Sequence, residues 1–472
     1  MTASGISLNV LHGGNGDMNR TGILLLLLIL TGAVSFGDTS AIDSMWFEGL
    51  KPFRREAFIS PDVCGRCHGD IHEMWDGSMH SSAFDDPLFR AASKLLIKDV
   101  KTEGERADAE HCVACHNPVA YRSGQVRGTS DNYDNVDEVT RNSLFCDVCH
   151  SITEIVHTTN TSFNTEPGNG EDDPGVKQGP RDDAAPMYHE AAYSEIHTSA
   201  IICGTCHNVT HLWYMTKLEG TYDEWYHSPY NSADPGKRVV CQDCHMRQAP
   251  GKPSTGMTER PDYPGTSADM GPERPHIYRH NVVGGNAFVP DMLGHPEKSQ
   301  LARERLTHAA ALDIMADKQG KQLDRFTVRV RNEGAGHMLP TGVTEFRQMW
   351  LEVTVKNGKG RTVFSSGIID DKGGLPEGVR LFHTVFGDPE GNPTINVARA
   401  DRMLSDHRIL PKGFCDETFI LEKPLKKPLT ITVRLNYRSM DPSVVSLLLG
   451  DKARAGRDVP VITMTEVEKR IE

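Results

Sequence analysis

Ten of the eleven cysteines lie in five copies of one motif, in which two cysteines three residues apart are followed directly by a histidine. The five copies, numbered here in chain order, are Cys64-Cys67-His68, Cys112-Cys115-His116, Cys146-Cys149-His150, Cys203-Cys206-His207 and Cys241-Cys244-His245. Two thiols at this spacing lie on one side of a helical turn and can add to the two vinyl groups of a porphyrin. The imidazole that follows can then bind the iron. The pattern predicts five covalently attached haems c, with the motif histidines as proximal iron ligands.

Three other uses of paired cysteines fit this pattern less well. Zinc sites do not require a histidine after every cysteine pair. A thioredoxin-like motif would occur once, near a βαβ pattern that the sequence does not show. A disulfide framework gives no reason for the histidines. Covalent haem attachment is therefore the interpretation that we adopt.

The chain that must position these motifs has 472 residues, enough for two or three domains. The motifs are separated by segments rich in Gly, Pro, Asp and Asn, which cannot bury a core of their own. We therefore expect residues 45–290 to be mainly helix and irregular chain wrapped around the haems, whose porphyrins supply the apolar surface. The net charge of −13 argues against sequence-independent nucleic-acid binding.

The first haem segment is similar to that of a known cytochrome family. Cys64-Gly-Arg-Cys67-His68, with Ile71, Trp75, Ser78 and His80 after it, resembles the tetrahaem cytochrome that accepts electrons from hydroxylamine oxidoreductase. The later motifs follow in the same order, and the fifth resembles larger multihaem relatives. The resemblance covers about residues 60–285 and implies haems packed closely in parallel and perpendicular pairs. This chain differs in having a fifth motif and a long C-terminal region.

Five further histidines would give every iron two imidazole ligands. The resemblance implies that His80 binds the iron of another haem, and that His157, seven residues beyond His150, is also a ligand. His189 and His197 precede the fourth motif, and His276 and His280 form an i,i+4 pair after the fifth. Trp225-x-x-Ser228-x-Tyr230 repeats Trp75-x-x-Ser78-x-His80 with tyrosine at the ligand position. One iron could therefore rely on His227 or another segment, or could remain open.

The region after the fifth motif contains no further haem motif. Residues 291–320 are predicted to link the two domains, with a helix over Pro296–Asp317. Residues 321–472 are predicted to form an antiparallel β-sandwich, because apolar residues alternate along three segments and Asn357-Gly358 supplies a hairpin turn. The alternating residues are Phe326, Val328, Val330; Leu351, Val353, Val355; and Leu429, Ile431, Val433, Leu435. This part also resembles the β-domain appended to many multihaem cytochromes.

Two side chains of this C-terminal region have chemistry of interest. His337, in Gly336-His337-Met-Leu-Pro340, could be a haem ligand contributed across the domain boundary or could simply brace a turn. Cys415 has no motif partner and is expected to be a buried free thiol. We identify no catalytic acidic pair, phosphate-binding loop or nucleophile arrangement there.

The N-terminal 35 residues have the layout of a cleaved secretory signal peptide. Ile23–Leu30 is a short apolar run, preceded by Asn19 and Arg20 and followed by the small residues Ala33-Val34-Ser35. Export agrees with covalent haem attachment, which takes place after secretion. We expect a periplasmic, cell-surface or extracellular protein with no transmembrane segment in its mature chain, since no apolar run reaches 18 residues.

These observations favour an electron carrier. Five closely packed haems would form a wire between redox partners, such as a quinol-linked donor or another cytochrome and a terminal reductase. The alternative is a haem-based oxidoreductase that acts on a small nitrogen or sulfur compound at one open iron. The motif variant with lysine in place of histidine, typical of pentahaem nitrite reductases, is absent from the sequence.

Overall fold

The haem-motif region consists of short helices joined by long irregular segments. The computed structural model describes residues 42–316, 320–450 and 458–472. The predicted signal peptide lies outside these residues. The α-helices of this region are Pro61–Gly65, Gly69–Trp75, Pro87–Leu96, Glu103–His116, Pro118–Arg122, Cys146–His150, Ile201–Gly204, Thr221–Tyr226 and Cys241–His245. Most last one or two turns, as expected where bound groups rather than helix packing supply the apolar interior.

Capping residues explain where the two longest of these helices begin. The Thr102 hydroxyl accepts a hydrogen bond from the Glu105 amide, and the Glu105 carboxylate accepts one from the Thr102 amide. This capping box starts Glu103–His116, whose last turn carries the second haem motif. Asp86 caps Pro87–Leu96 by accepting from the Leu88 amide, with proline at the first helical position.

Three pairs of short strands fix the segments between the motifs. Two pairs are antiparallel and one is parallel. The pairs are Ile152–Ile155 with Phe163–Thr165, Val176–Gly179 with Glu190–Tyr193, and Val209–Thr210 with Lys217–Glu219. The last pair folds the chain back after the fourth motif, and this turn brings Glu219 beside His207.

The helix in the linking segment is shorter than the sequence predicted. The helix predicted over Pro296–Asp317 ends at Leu306, and Ala310–Ala316 is a strand that pairs with Gln322–Asn332. This strand alternates buried and exposed side chains, so its apolar residues join the C-terminal core. The helical prediction was wrong here because sheet pairing outweighs the helix propensity of an alanine-rich segment. A further short helix, Phe288–Leu293, precedes the linking helix.

The C-terminal region is rich in antiparallel sheet. A four-stranded sheet has the order Thr362–Ser366, Gln348–Asn357, Leu429–Arg438 and Ile462–Ile471. A three-stranded sheet has the order Phe414–Lys426, Gln322–Asn332 and Ala310–Ala316. A smaller sheet contains Pro393–Thr394, Thr384–Gly387 and Arg402–Asp406, and the helix Pro442–Leu449 follows the main strands.

The apolar alternation seen in the sequence is confirmed by burial. The ten alternating residues of the three predicted strands are all buried and belong to one hydrophobic cluster. The Asn357 turn is also present: its side-chain oxygen accepts from the Lys359 and Arg361 amides, and Gly360 takes a positive φ of 76°. Because both main sheets contribute to one cluster, this region has a single core.

Candidate functional site

The five motifs line one connected cavity. Its volume is about 1660 Å³, and all ten motif cysteines and all five motif histidines are among its lining residues. A pocket for one small ligand is typically about 300–1,000 Å³. All eleven cysteines lie in the part of the chain that the structure describes, and none of them forms a disulfide. The cavity size and the free thiols fit several covalently attached haems.

The cysteines of different motifs lie against one another. The Cys146 thiol lies close to Cys64, which places the third motif beside the first, and the Cys241 thiol lies close to Cys203, which places the fifth motif beside the fourth. The Cys206 thiol of the fourth motif also lies near Cys115 of the second motif and Cys149 of the third. The motifs therefore form one contiguous network in which the fourth is the branch point.

Each motif histidine uses its Nδ1 atom in a hydrogen bond. Four of them face backbone carbonyl oxygens: His68 with Ser267 (2.5 Å), His116 with Ala83 (2.8 Å), His150 with Gln178 (2.7 Å) and His245 with Val283 (2.6 Å). His207 instead faces a carboxylate oxygen of Glu219, at 3.4 Å. Because these oxygens only accept, Nδ1 carries the proton and Nε2 remains available for a metal.

Four motif histidines face a second imidazole at a constant spacing. The ring centres are 6.3 Å apart for His68 and His189, 6.1 Å for His80 and His207, 6.3 Å for His150 and His280, and 6.2 Å for His245 and His337. The ring planes meet at 24–30°. A metal bound between two imidazoles, with bonds of about 2 Å, would separate the ring centres by roughly 6 Å. The observed spacing fits a metal ion between the rings.

The facing histidines are also prepared to bind through Nε2. His189, His280 and His337 direct Nδ1 to the carbonyl oxygens of Glu190, Tyr278 and Met338, at 2.7, 3.0 and 2.8 Å. Burial lowers the pKa of His80 and of His280 to about 4. These two rings are therefore neutral at physiological pH, which is the form that binds metals.

Three other predicted ligand histidines make different contacts, although His197 also lines the main cavity. His197 stacks beside His150 at 5.3 Å, but its Nε2 is bonded to the Cys149 carbonyl oxygen at 2.9 Å. His276 accepts from the Tyr263 amide through Nδ1 and does not line the main cavity. His157 is exposed and lines a second, smaller cavity. None of these three faces a motif histidine at the spacing of 6.1–6.3 Å that the four pairs share.

The second motif has different surroundings. The ring of Phe89 stacks on His116 with ring centres 3.6 Å apart and planes 4° apart. Among the described residues, no histidine ring is in contact with His116. Phe89 lies on Pro87–Leu96, the helix capped by Asp86. An iron bound to His116 would thus lack the second imidazole that the other four motif histidines face.

His337 reaches the cavity from the C-terminal region because its loop is held on both sides. The buried carboxylate of Glu224 accepts from the Met338 amide (3.1 Å) and the Thr341 hydroxyl (2.7 Å), and it pairs with Arg408. On the other side, the Asn332 side-chain amide donates to the His337 carbonyl oxygen at 2.8 Å. The loop therefore presents His337 to His245 of the fifth motif.

The Trp-x-x-Ser repeat corresponds to a structural repeat. Trp75 donates its indole N–H to the Leu144 carbonyl oxygen, and Trp225 donates to that of Val239, both at 2.8 Å. Leu144 lies two residues before the third motif, and Val239 lies two residues before the fifth. At the position that matches His80, the hydroxyl of Tyr230 donates to the Glu333 carbonyl oxygen. Tyr230 thus connects this segment to the C-terminal region by a hydrogen bond.

Several side chains at the site were missed by the sequence analysis. Burial opposes protonation of His207, but the hydrogen bond and charge of Glu219 outweigh it and raise the pKa of this imidazole. Burial raises the pKa of Glu345, a cavity-lining residue whose carboxylate oxygens have no hydrogen-bond partner, to about 8. Glu224 and Phe89 are two further residues of the site that the sequence did not indicate. No spacing in the sequence distinguishes these residues from other glutamates and phenylalanines.

The eleventh cysteine lies away from the cavity. Cys415, on Phe414–Lys426, is a partly buried free thiol whose Sγ donates to Glu417 at 3.5 Å. Burial raises the pKa of this thiol, which keeps it protonated and unreactive at neutral pH.

Comparison with known proteins supports the same class. Residues 63–151 match the family model described as cytochrome c554 and c-prime. The structure of a penta-heme cytochrome c552 from Thermochromatium tepidum is similar to this chain with a TM-score of 0.60 at 17% sequence identity. The similarity covers 89% of this chain and 100% of the other. A comparison with curated protein sequences finds no match.

A second solved structure was also found. It is the ApaA protein from Bordetella pertussis, at 13% identity, which covers 34% of this chain and 89% of the other. Its TM-score of 0.15 carries no structural argument.

The fold and the site define a class of protein. A multihaem cytochrome-like fold precedes a sheet-rich C-terminal region, and the family match covers the first three motifs. Together these findings support a multihaem c-type cytochrome with covalently bound haem. The part of the chain that the structure describes contains no helix long and apolar enough to cross a membrane.

Proposed function

We propose that this protein transfers electrons between redox partners through five haems c, one on each motif. The observation that carries the proposal is the set of four imidazole pairs with ring centres 6.1–6.3 Å apart around one shared cavity. Two axial imidazoles make a haem low-spin and leave its iron no position for a substrate. Such haems transfer electrons but do not bind a substrate at the iron.

The paired histidines are the residues that would hold the irons. His68, His150, His207 and His245 would bind them from the motif side, and His189, His280, His80 and His337 would bind the same irons from the facing side. In the first, third and fifth motif pairs, the Nδ1 bonds to carbonyl oxygens fix the orientation of both rings. The haem would supply one-electron chemistry, and the protein would supply the ligands, their orientation and a mainly apolar cavity.

The continuity of the motif network supports conduction. Cysteines of the first and third motifs are close neighbours, as are those of the fourth and fifth, and the fourth motif also lies near the second and third. Haems attached to neighbouring cysteines would themselves be close neighbours. An electron that enters at any motif could therefore reach every other motif without leaving the protein.

The surroundings of the second motif favour an additional, catalytic function. Because no histidine ring among the described residues faces His116 at the spacing of the other four pairs, the iron held there is proposed to be open on one side. An open haem iron can bind a small nitrogen or sulfur compound, and the other four haems would then supply or remove electrons. The protein would in that case be an oxidoreductase as well as a carrier.

The cellular setting belongs to the same proposal. The N-terminal segment and the covalent haem chemistry support export to the periplasm or beyond. The partners would be a quinol-linked donor or another cytochrome on one side and a terminal reductase on the other.

A separate proposal concerns the fold of the C-terminal region. We propose that its two main sheets form a β-sandwich, because both contribute side chains to one hydrophobic cluster.

Two measurements on the full-length exported protein test this function. A pyridine haemochrome assay with intact mass should give five haems per chain, and fewer than five in a competent host would refute the stoichiometry. The EPR spectrum of the oxidised protein should show low-spin signals from four haems and one high-spin signal. Cyanide should convert the high-spin signal alone. A spectrum with no high-spin component would refute the open iron and leave the carrier function.

A further inference from the structure

The fourth motif differs from the others in what its histidine contacts. Four motif histidines direct Nδ1 to a neutral backbone carbonyl, at 2.5–2.8 Å. Only His207 directs Nδ1 to a carboxylate, that of Glu219. The same carboxylate oxygen accepts from the Thr221 hydroxyl at 3.1 Å, which holds it in place.

The backbone around Glu219 holds its side chain in contact with His207. The strand Lys217–Glu219 pairs with Val209–Thr210, and this hairpin turns the chain back on the fourth motif. The Tyr222 amide donates to the His207 carbonyl oxygen at 3.0 Å, so the segment after Glu219 is also tied to the motif. Glu219 is therefore held against His207 from both directions.

A carboxylate acts on an iron-bound imidazole differently from a carbonyl. It draws the Nδ1 proton more strongly, makes Nε2 a better electron donor and adds a negative charge nearby. Both effects stabilise Fe(III) relative to Fe(II). The reduction potential of the haem is therefore lower than with a neutral partner at Nδ1.

We propose that Glu219 sets the haem on His207 at a low reduction potential and so makes the branch point of the haem network a transit site. This inference rests on the proposed function, because it assumes a haem on each motif and the His80–His207 pair. Cysteines of the fourth motif lie near those of the second, third and fifth. At a low-potential branch point, electrons pass between haems but do not accumulate, and they come to rest on the peripheral haems.

The test compares two variants that each remove one negative charge near the fourth motif. Glu219→Gln preserves the shape of the side chain but removes the charge that His207 contacts. Asp223→Asn is the matched control, because Asp223 pairs with Lys217 at 2.9 Å and its carboxylate contacts no haem-ligand histidine. A third variant, His80→Ala, identifies the EPR signal of this haem as the low-spin signal that disappears.

We expect Glu219→Gln to move the midpoint potential of the identified signal in the positive direction, in an EPR-monitored redox titration. The haem count and the low-spin state should be unchanged, and Asp223→Asn should leave all potentials in place. In partly reduced protein, the variant should hold more electrons on this haem than the unaltered chain does. An unchanged midpoint, or an equal shift in the control, would overturn the inference.

A further variant keeps the proposal testable if Glu219→Gln does not receive its full number of haems. Glu219→Asp keeps the charge on a shorter side chain, so a smaller positive shift is expected, and no shift would count against the proposal. A haem count below five in the unaltered protein would refute the stoichiometry on which the proposed function rests. A normal count with no shift refutes the role of Glu219 alone.

Discussion

The loop that carries His337 offers the sharpest test of how the C-terminal region is attached to the haem region. Glu224 is the central residue: it accepts two hydrogen bonds from the loop and pairs with Arg408. Only 6% of the Glu224 side chain and 9% of the Arg408 side chain are exposed. Glu224→Ala would therefore remove three buried interactions at once, among them one half of a buried ion pair.

The expected cost follows from these contacts. Removing one partner of a buried ion pair typically costs about 3–5 kcal/mol. Arg408 keeps its second partner, Asp406, at 2.8 Å, which places the expected loss near the lower end, at about 3 kcal/mol. The loop should also lose its position, and His337 should then no longer face His245.

The assay therefore has two readouts. Urea unfolding should show the loss of stability, and EPR should show one haem changing from low-spin to high-spin with the haem count unchanged. Glu422→Ala, at an exposed position on Phe414–Lys426, is the control and should change stability by no more than about 0.5 kcal/mol. If Glu224→Ala loses stability but all four low-spin haems stay low-spin, then the link between this carboxylate and His337 is wrong.

Three further outcomes are expected. His280→Ala should turn one haem high-spin, whereas His197→Ala should leave the EPR spectrum unaltered; the reverse result would exchange their roles. Because burial raises the pKa of Glu345 to about 8 while the unfolded value is near 4.5, the folded state retains a proton that the unfolded state has lost. Stability should thus fall by at most about 1.4 kcal/mol per pH unit as the pH rises between these values, and Glu345→Gln should abolish that fall in urea titrations at several pH values. Phe89→Ala should leave the low-spin haems unchanged and alter the high-spin EPR signal alone; changed low-spin signals would place Phe89 beside another haem.

The haem motifs could be found from the sequence because their chemistry is local. Two thiols and an imidazole within five residues are sufficient to attach a haem, whatever the rest of the chain does. The period-2 strands were readable for a similar reason, since alternating burial follows from strand geometry itself. Val328 and Val433 therefore lie in the core as predicted.

The pairing of histidines depends on contacts between distant parts of the chain. His80 meets His207 across 127 residues, and His245 meets His337 across 92, so no local pattern indicates which ring faces which. The sequence offered His197 and His280 on equal terms. They differ because the Nε2 atom of His197 is bonded to the Cys149 carbonyl oxygen, whereas the Nδ1 atom of His280 faces Tyr278.

The same reasoning applies to the helix that ended early and to the glutamates around the site. Ala310–Ala316 has the composition of a helix, but pairing with Gln322–Asn332 makes it a strand. Glu219 and Glu224 look like ordinary surface residues in the sequence and acquire their roles from a hairpin and a loop that meet them in space. The sequence by itself determined the haem chemistry, because that chemistry needs only neighbouring residues. Tertiary structure decided the second ligand and the charge near each motif, because those depend on which distant segments pack together.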